Sequence, residues 1–300
     1  MNNNIKISAH DMKNILNSTD GQLNKAISYV KEHGVEIDDN TSIKALYEKL
    51  NEKIIKLADA GKDEEELADL NDIFYGLVGL MMSNKADDMN MPKAWTQDFK
   101  IYFNYHSNAI EGSTFSIDEL RKLLLEKRVS GSHYLYDVYE TANSLKVFDL
   151  VLESINKQLD KFMLFDWQRT LKRGTFDDEF NISGCWKKFE NRLRKTDIKL
   201  ASPAMVDNLM FNLLADWNEI DNPTIENIAK FHYKFEMIHP FQDGNGRIGR
   251  FIILKQCLDN NIKPIVIKKD YSREYKEALY KAQKYEDIND LVEVFTKCII

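Results

Sequence analysis

The run Ile238-His239-Pro240-Phe241-Gln242-Asp243-Gly244-Asn245-Gly246-Arg247-Ile248-Gly249-Arg250 decides how the chain is read. Pro240 biases the residue before it out of the α region, so the preceding helix should end at His239 and present an imidazole at a loop mouth. Gly244-Asn245-Gly246 supplies a turn whose backbone N–H groups can converge on an anion. Ile248, Phe251, Ile252 and Cys257 then follow with helical spacing. The turn therefore lies at a helix N-terminus, where unpaired N–H groups and the helix dipole favour phosphate. Arg247 and Arg250, three apart, should emerge on one side of the first turns.

A titratable base, a carboxylate, an amide and two guanidiniums are thus compressed into twelve residues. Arginine pairs grip phosphate oxygens, and a lone aspartate such as Asp243 beside phosphates is a typical Mg²⁺ ligand. The pattern reads as a polyphosphate site. It is not a Walker A loop, lacking GxxxxGK, and not a dinucleotide fingerprint, because no strand precedes it.

Working outward, the flanking sequence is helical. Before the turn, Pro223 is placed as the first residue of a helix carrying Ile225, Ile228, Ala229, His232 and Phe235. Upstream of that, Val206, Leu209, Met210, Leu213 and Trp217 form an apolar stripe. A helix is expected from about Ala94 to Ile110, stopping at Gly112, which tolerates a left-handed C-cap. Ser116 with Glu119 makes a capping box for the next helix. In the first ninety residues, Ile43 to Leu57 and Leu67 to Leu77 recur at spacings of three and four, and Lys85–Asn90 reads as a linker. The expected organisation is an N-terminal helical region, 1–90, and a second domain, 91–300. Gly184–Pro203 departs from the helical rule. Its partial alternation (Phe189, Leu193; Ile198, Leu200) reads as a short two-stranded hairpin, with polar helix as the alternative.

Composition narrows the function classes. The 300 residues carry 41 Lys and Arg against 48 Asp and Glu, a net charge of −7, which argues against a chain built to grip nucleic acid or an anionic membrane. With 12 Gly and 5 Pro, long helices are favoured over many short strands. Cys185, Cys257 and Cys298 are scattered with no CxxC pair, which speaks against both a disulfide scaffold and a zinc cluster. The longest apolar stretch, Ile73–Met82, is too short for a bilayer, and the N-terminus lacks the layout of a signal peptide. The expected location is the cytoplasm. Whether like chains assemble is left open.

Position for position, the segment His239–Arg250 resembles the HPFx[DE]GN[GK]RxxR signature of the Fic family. The resemblance extends more weakly from about Pro92 to the C-terminus. It includes Gly184-Cys185-Trp186-Lys187, similar to the family's step into a hairpin called the flap. It implies a Fic-type helical bundle with a short β-hairpin flap. It also implies a protein adenylyltransferase that moves AMP from ATP to a Ser, Thr or Tyr hydroxyl of a target protein, itself included. His239 would take the hydroxyl proton, Asp243 would hold Mg²⁺, and Gly244, Asn245, Gly246 and Arg247 would bind phosphates. Arg250 would orient the γ-phosphate, and residues 188–200 would dock the target. Arg192, Arg194 and Lys195 there suit an acidic target or a solvated face equally.

A second pattern, Ser107-Asn108-Ala109-Ile110-Glu111-Gly112, resembles the family's inhibitory [ST]xxxE[GN], in the class whose inhibitory helix precedes the catalytic motif. By that resemblance Glu111 would reach Arg250 and displace the γ-phosphate. Tyr271–Leu279 is similar to the helix after the motif, with Lys276 at a position often tyrosine; no adenine residue is assigned. Two other readings stay open: a hydrolase removing AMP from a modified protein, with Glu111 aligning water, and a non-enzymatic nucleotide-sensing interaction module. His10, His33, His106 and His133 form no metal constellation, and His232 reads as a packed, hydrogen-bonded core residue.

Overall fold

The computed structural model describes residues 49, 50, 52–54, 93–193 and 196–300. The chain divides into two compact units, Met1–Met81 with Ile300 and Met82–Ile299. In the first, residues 49, 50 and 52–54 are helical. The rest of the expected N-terminal stripes, the linker at Lys85–Asn90, and Arg194 and Lys195 lie outside the described residues.

In the second unit the helices are α1 (Lys93–Ile110), α2 (Ile117–Leu125), α3 (Leu135–Glu153), α4 (Lys161–Leu171), α5 (Phe176–Glu179) and α6 (Pro203–Asn218). They continue as α7 (Ile225–Ile238), α8 (Asn245–Asp259), a 3₁₀ turn at Lys269–Tyr271, α9 (Ser272–Tyr285) and α10 (Asn289–Lys297). No strand occurs among the described residues, only an isolated antiparallel bridge between Ile265 and Ile299. Among the same residues, no helix is long and apolar enough to cross a membrane.

Local chemistry sets the helix boundaries. Gly112 adopts φ 95°, and the turn there returns the Glu111 and Gly112 N–H groups to Asn108 and Ala109, each at 3.0 Å. Ser116 and Glu119 form the expected capping box of α2. One boundary differs from expectation. α7 begins at Ile225, two residues after Pro223, because Thr224 and Asn227 cap it reciprocally, each side chain accepting from the other's backbone N–H.

α8 is the axis of the unit. Every residue from Arg247 to Leu258 is buried, so this helix is enclosed on all sides rather than along one stripe. It packs against α1, α3, α4 and α7. Phe251 meets Phe103 of α1 at a centroid distance of 5.1 Å, and Phe103 meets Phe148 of α3 at 5.8 Å. Burying each such ring stabilises the fold by about 1.5–3 kcal/mol. Gly249 is small for a reason: a Cβ there would lie 2.7 Å from Glu236 Oε1 and 2.9 Å from His232 Cε1, so glycine lets α8 close on α7.

The hairpin expected between Gly184 and Pro203 does not form a strand ladder in the described part of that segment. Its backbone groups find partners elsewhere. Lys187 N donates to Pro240 O at 2.8 Å, Phe189 N to Gln242 Oε1 at 3.2 Å, and Ala201 N to Met237 O at 3.2 Å. Both ends of the segment are thus tied to residues 237–242 rather than to each other.

Candidate active site at the α7–α8 junction

The loop between α7 and α8 has little freedom. α7 ends at Ile238, and His239 takes the left-handed conformation, φ 49° and ψ 61°, with its N–H still bonded to Phe235 O at 2.8 Å. A β-carbon-bearing residue there stores strain that its surroundings must hold. They do so from the 187–191 segment. Lys187 Nζ donates to Ile238 O at 3.1 Å while its N–H donates to Pro240 O, so one residue ties the carbonyls before His239 and after Pro240. Asn191 Nδ2 donates to Phe241 O at 3.1 Å. Lys187 is almost fully buried, and burial brings its amine down to about 8.

Asn245 pins the other side of the loop. Its Oδ1 accepts from Phe241 N and its Nδ2 donates to Phe241 O, both at 2.8 Å, in a site only 2% exposed. That closes a five-residue ring around Asp243 and Gly244, the latter left-handed at φ 85° as N-cap of α8. The N–H groups of Asn245, Gly246 and Arg247 open the helix and have no acceptor within it.

The two arginines do not share one outward side. Both are buried, at 6% and 3% exposure for Arg247 and Arg250, and they diverge. Arg247 reaches Glu140 of α3 at 2.5 Å and lies 3.9 Å from Asp243. Asp243 in turn pairs with Lys172 at 2.5 Å, and Lys172 also bridges to Glu140. The Asp243 side chain is more than half exposed; the partial desolvation of its loop raises the carboxyl, but Lys172 and Arg247 outweigh it and hold it down at about 2.

Arg250 turns to α1. Its Nε donates to Ser107 Oγ and one terminal nitrogen to Ser107 O, both at 2.9 Å; the same nitrogen meets Glu111 Oε1 at 2.7 Å. The Glu111 carboxylate thereby lies over the first turn of α8, since a Cβ on Gly246 would overlap Oε1. An acidic group at a helix N-terminus beside a guanidinium sits where such a junction would receive an anion. Gly112 at the end of α1 releases the chain one residue after Glu111.

His239, Asp243, Gly244, Asn245, Gly246, Arg247 and Arg250 are therefore gathered at one junction, and Glu111 and Ser107 reach its Arg250 from 139 and 143 residues away in sequence. Four participants were missed. Lys187 was noted only as part of a flap-like step. Glu140 and Lys172, which balance Asp243 and Arg247, lie in stretches with no local motif. Glu236 stands three residues before His239, in the last turn of α7. His232 is buried and bonded to Tyr275 OH at 2.7 Å, as expected of a core histidine, and burial lowers it to about 4. No cluster of three candidate metal ligands occurs among the described residues.

Among the described residues, then, a buried central helix opens on a strained histidine loop, and its arginine is closed by a carboxylate from an earlier helix. Residues 158–257 match the Fic/DOC family. Protein adenylyltransferase Fic of Nematostella vectensis is 28% identical over 208 residues, spanning 65% of this chain and 45% of that one. A probable protein adenylyltransferase of Aquifex aeolicus is 28% identical over 179 residues, 58% of this chain and 52% of its own. The chain spans about half the length of these curated relatives. A Fic-domain signalling protein from Bacteroides thetaiotaomicron superposes with a TM-score of 0.63 at 22% identity, over 75% of this chain and 92% of that one. Fic-1 of Caenorhabditis elegans gives 0.59 at 16%, over 92% and 95%. These two likenesses establish the fold.

Proposed function

We propose that this chain is a self-inhibited protein adenylyltransferase, with residues 91–300 as its catalytic domain. The observation that carries the reading is the Glu111–Arg250 ion pair at 2.7 Å, formed over the opening turn of α8. A carboxylate holding the guanidinium that would anchor a γ-phosphate is the arrangement a built-in brake requires. The names of the curated relatives support the same activity.

In the active form, the Asn245, Gly246 and Arg247 N–H groups and the Arg247 guanidinium bind the triphosphate of ATP, and Arg250 holds its γ-phosphate once Glu111 withdraws. A target Ser, Thr or Tyr hydroxyl, presented along residues 188–200, attacks the α-phosphorus. One O–P bond forms, the bond to the β-phosphate oxygen breaks, pyrophosphate leaves, and the hydroxyl proton passes to His239. Positioning and charge neutralisation supply most of the acceleration, and His239 as base about 10²–10⁴-fold.

The residues fit Mg²⁺ held chiefly by phosphates. Asp243 is 57% exposed at its side chain, and its ion pairs use Oδ2 alone. Asp243 would hold Mg²⁺ there, and the ion would supply charge that neutralises the bound phosphates.

Incubation with ATP labelled on its α-phosphate tests the reading. Label should enter protein, the chain itself included, with wild type and not with His239→Ala. Label retained by His239→Ala, or absent even from Glu111→Gly, overturns it. An AMP-bearing protein supplied without ATP distinguishes the hydrolase, which alone would release AMP.

A further inference from the structure

The buried face between α7, α8 and α9 holds polar atoms that the proposed reaction leaves unused. Glu236 is 5% exposed, and its Oε1 has no hydrogen-bond partner. Its Oε2 lies 3.5 Å from His239 Nδ1, and that nitrogen is itself buried without a partner. A buried carboxylate beside a buried ring nitrogen, each otherwise unsatisfied, is costly unless the two serve each other. The space for the carboxylate is built in, since any side chain at Gly249 would collide with Oε1.

We propose that Glu236 is the positioning residue of His239: it receives the Nδ1–H, fixing the tautomer whose Nε2 lone pair meets the target hydroxyl. This rests on the assignment of His239 as base.

The groups facing Glu236 are His232 from its own helix, His239 just past that helix's end, Arg250 from α8 and, beyond His232, Tyr275 from α9. Burial opposes ionisation of Glu236, yet its contact with His239 and the charge of Arg250 outweigh it, and the carboxyl is lowered. His232 does not take the carboxylate's charge, because burial keeps it neutral at ordinary pH. That leaves His239 as the imidazole whose charge changes during the reaction. When its Nε2 accepts the hydroxyl proton, the imidazolium forms against a carboxylate already in place. The 3.5 Å separation is a resting distance of the kind that tightens when substrate binds.

Glu236→Gln keeps the shape and removes the charge. Two measurements are made on the full chain. AMP transfer should lose roughly 10- to 10³-fold in kcat with KM for ATP within about twofold, and the acid limb of its pH profile should move to lower pH. Exchange of the His239 C2 hydrogen, followed by mass spectrometry, reads the same titration without catalysis, and its midpoint should fall relative to wild type. An unchanged kcat together with an unchanged exchange midpoint overturns the proposal. A moved midpoint in a chain that transfers no AMP sustains the pairing and sinks the adenylyltransferase reading instead. Should Glu236→Gln fail to fold, Glu236→Asp retains the charge but draws it back from Nδ1. It should then lower kcat with KM held; a wild-type kcat would contradict the proposal.

Discussion

Glu111→Gly removes the carboxylate that holds Arg250 and leaves the guanidinium its two bonds to Ser107. A hydrogen bond to a charged group contributes about 1.5–3 kcal/mol net. Glu111 is 38% exposed at its side chain, so solvent screening cuts this to about 1–2 kcal/mol. At about 1.4 kcal/mol per tenfold, the fraction of molecules with Arg250 available should rise about 5- to 30-fold. Initial rates of label incorporation from α-labelled ATP, at ATP well below KM, should rise by that factor. Glu111→Gln, which keeps the shape without the charge, should fall between wild type and glycine. Equal rates for wild type and both variants would refute the brake, because the 2.7 Å pair would then hold nothing the nucleotide needs.

Other perturbations separate the parts of the site. Asn245→Ala strips both bonds from the Phe241 peptide in a buried loop and should cost about 2–3 kcal/mol, read as a lowered Tm and midpoint in urea. Lys187→Met should lower kcat about tenfold or more by releasing the Ile238 carbonyl just before His239, with Lys187→Arg restoring part of it in the same kinetics. Asp243 is held down at about 2 against an ordinary 3.8, so its contribution is full above pH 3.8 and is lost as pH falls through 2. Because its side chain is more than half exposed, that contribution is only about 1 kcal/mol. Acid titration of stability should show Asp243→Asn losing less than wild type between pH 4 and 2.

What the sequence made legible is local. The order His239 to Arg250 foretold a helix end, a turn and a helix start, because proline, glycine and helical spacing act within a few residues. The capping box at Ser116 and the stop at Gly112 were readable for the same reason. The start of α7 was misplaced by two residues because Thr224 and Asn227 satisfy each other, an interaction stronger than the preference of Pro223. The divergence of Arg247 and Arg250 was not readable, since it depends on Glu140 from α3 and Glu111 from α1. Nor was Lys172, whose partners Glu140 and Asp243 lie 32 and 71 residues away. At 184–203 the alternating pattern was real, but a pattern of side chains does not say which backbone its N–H groups will meet. Here they meet residues 237–242.

The most direct measurement is a crystal structure of the Glu111→Gly chain soaked with ATP and Mg²⁺. The account predicts triphosphate density over the first turn of α8, the γ-phosphate on Arg250 and the α-phosphate open toward His239. Nucleotide bound elsewhere, with that turn empty and Arg250 still on Ser107 alone, would contradict it.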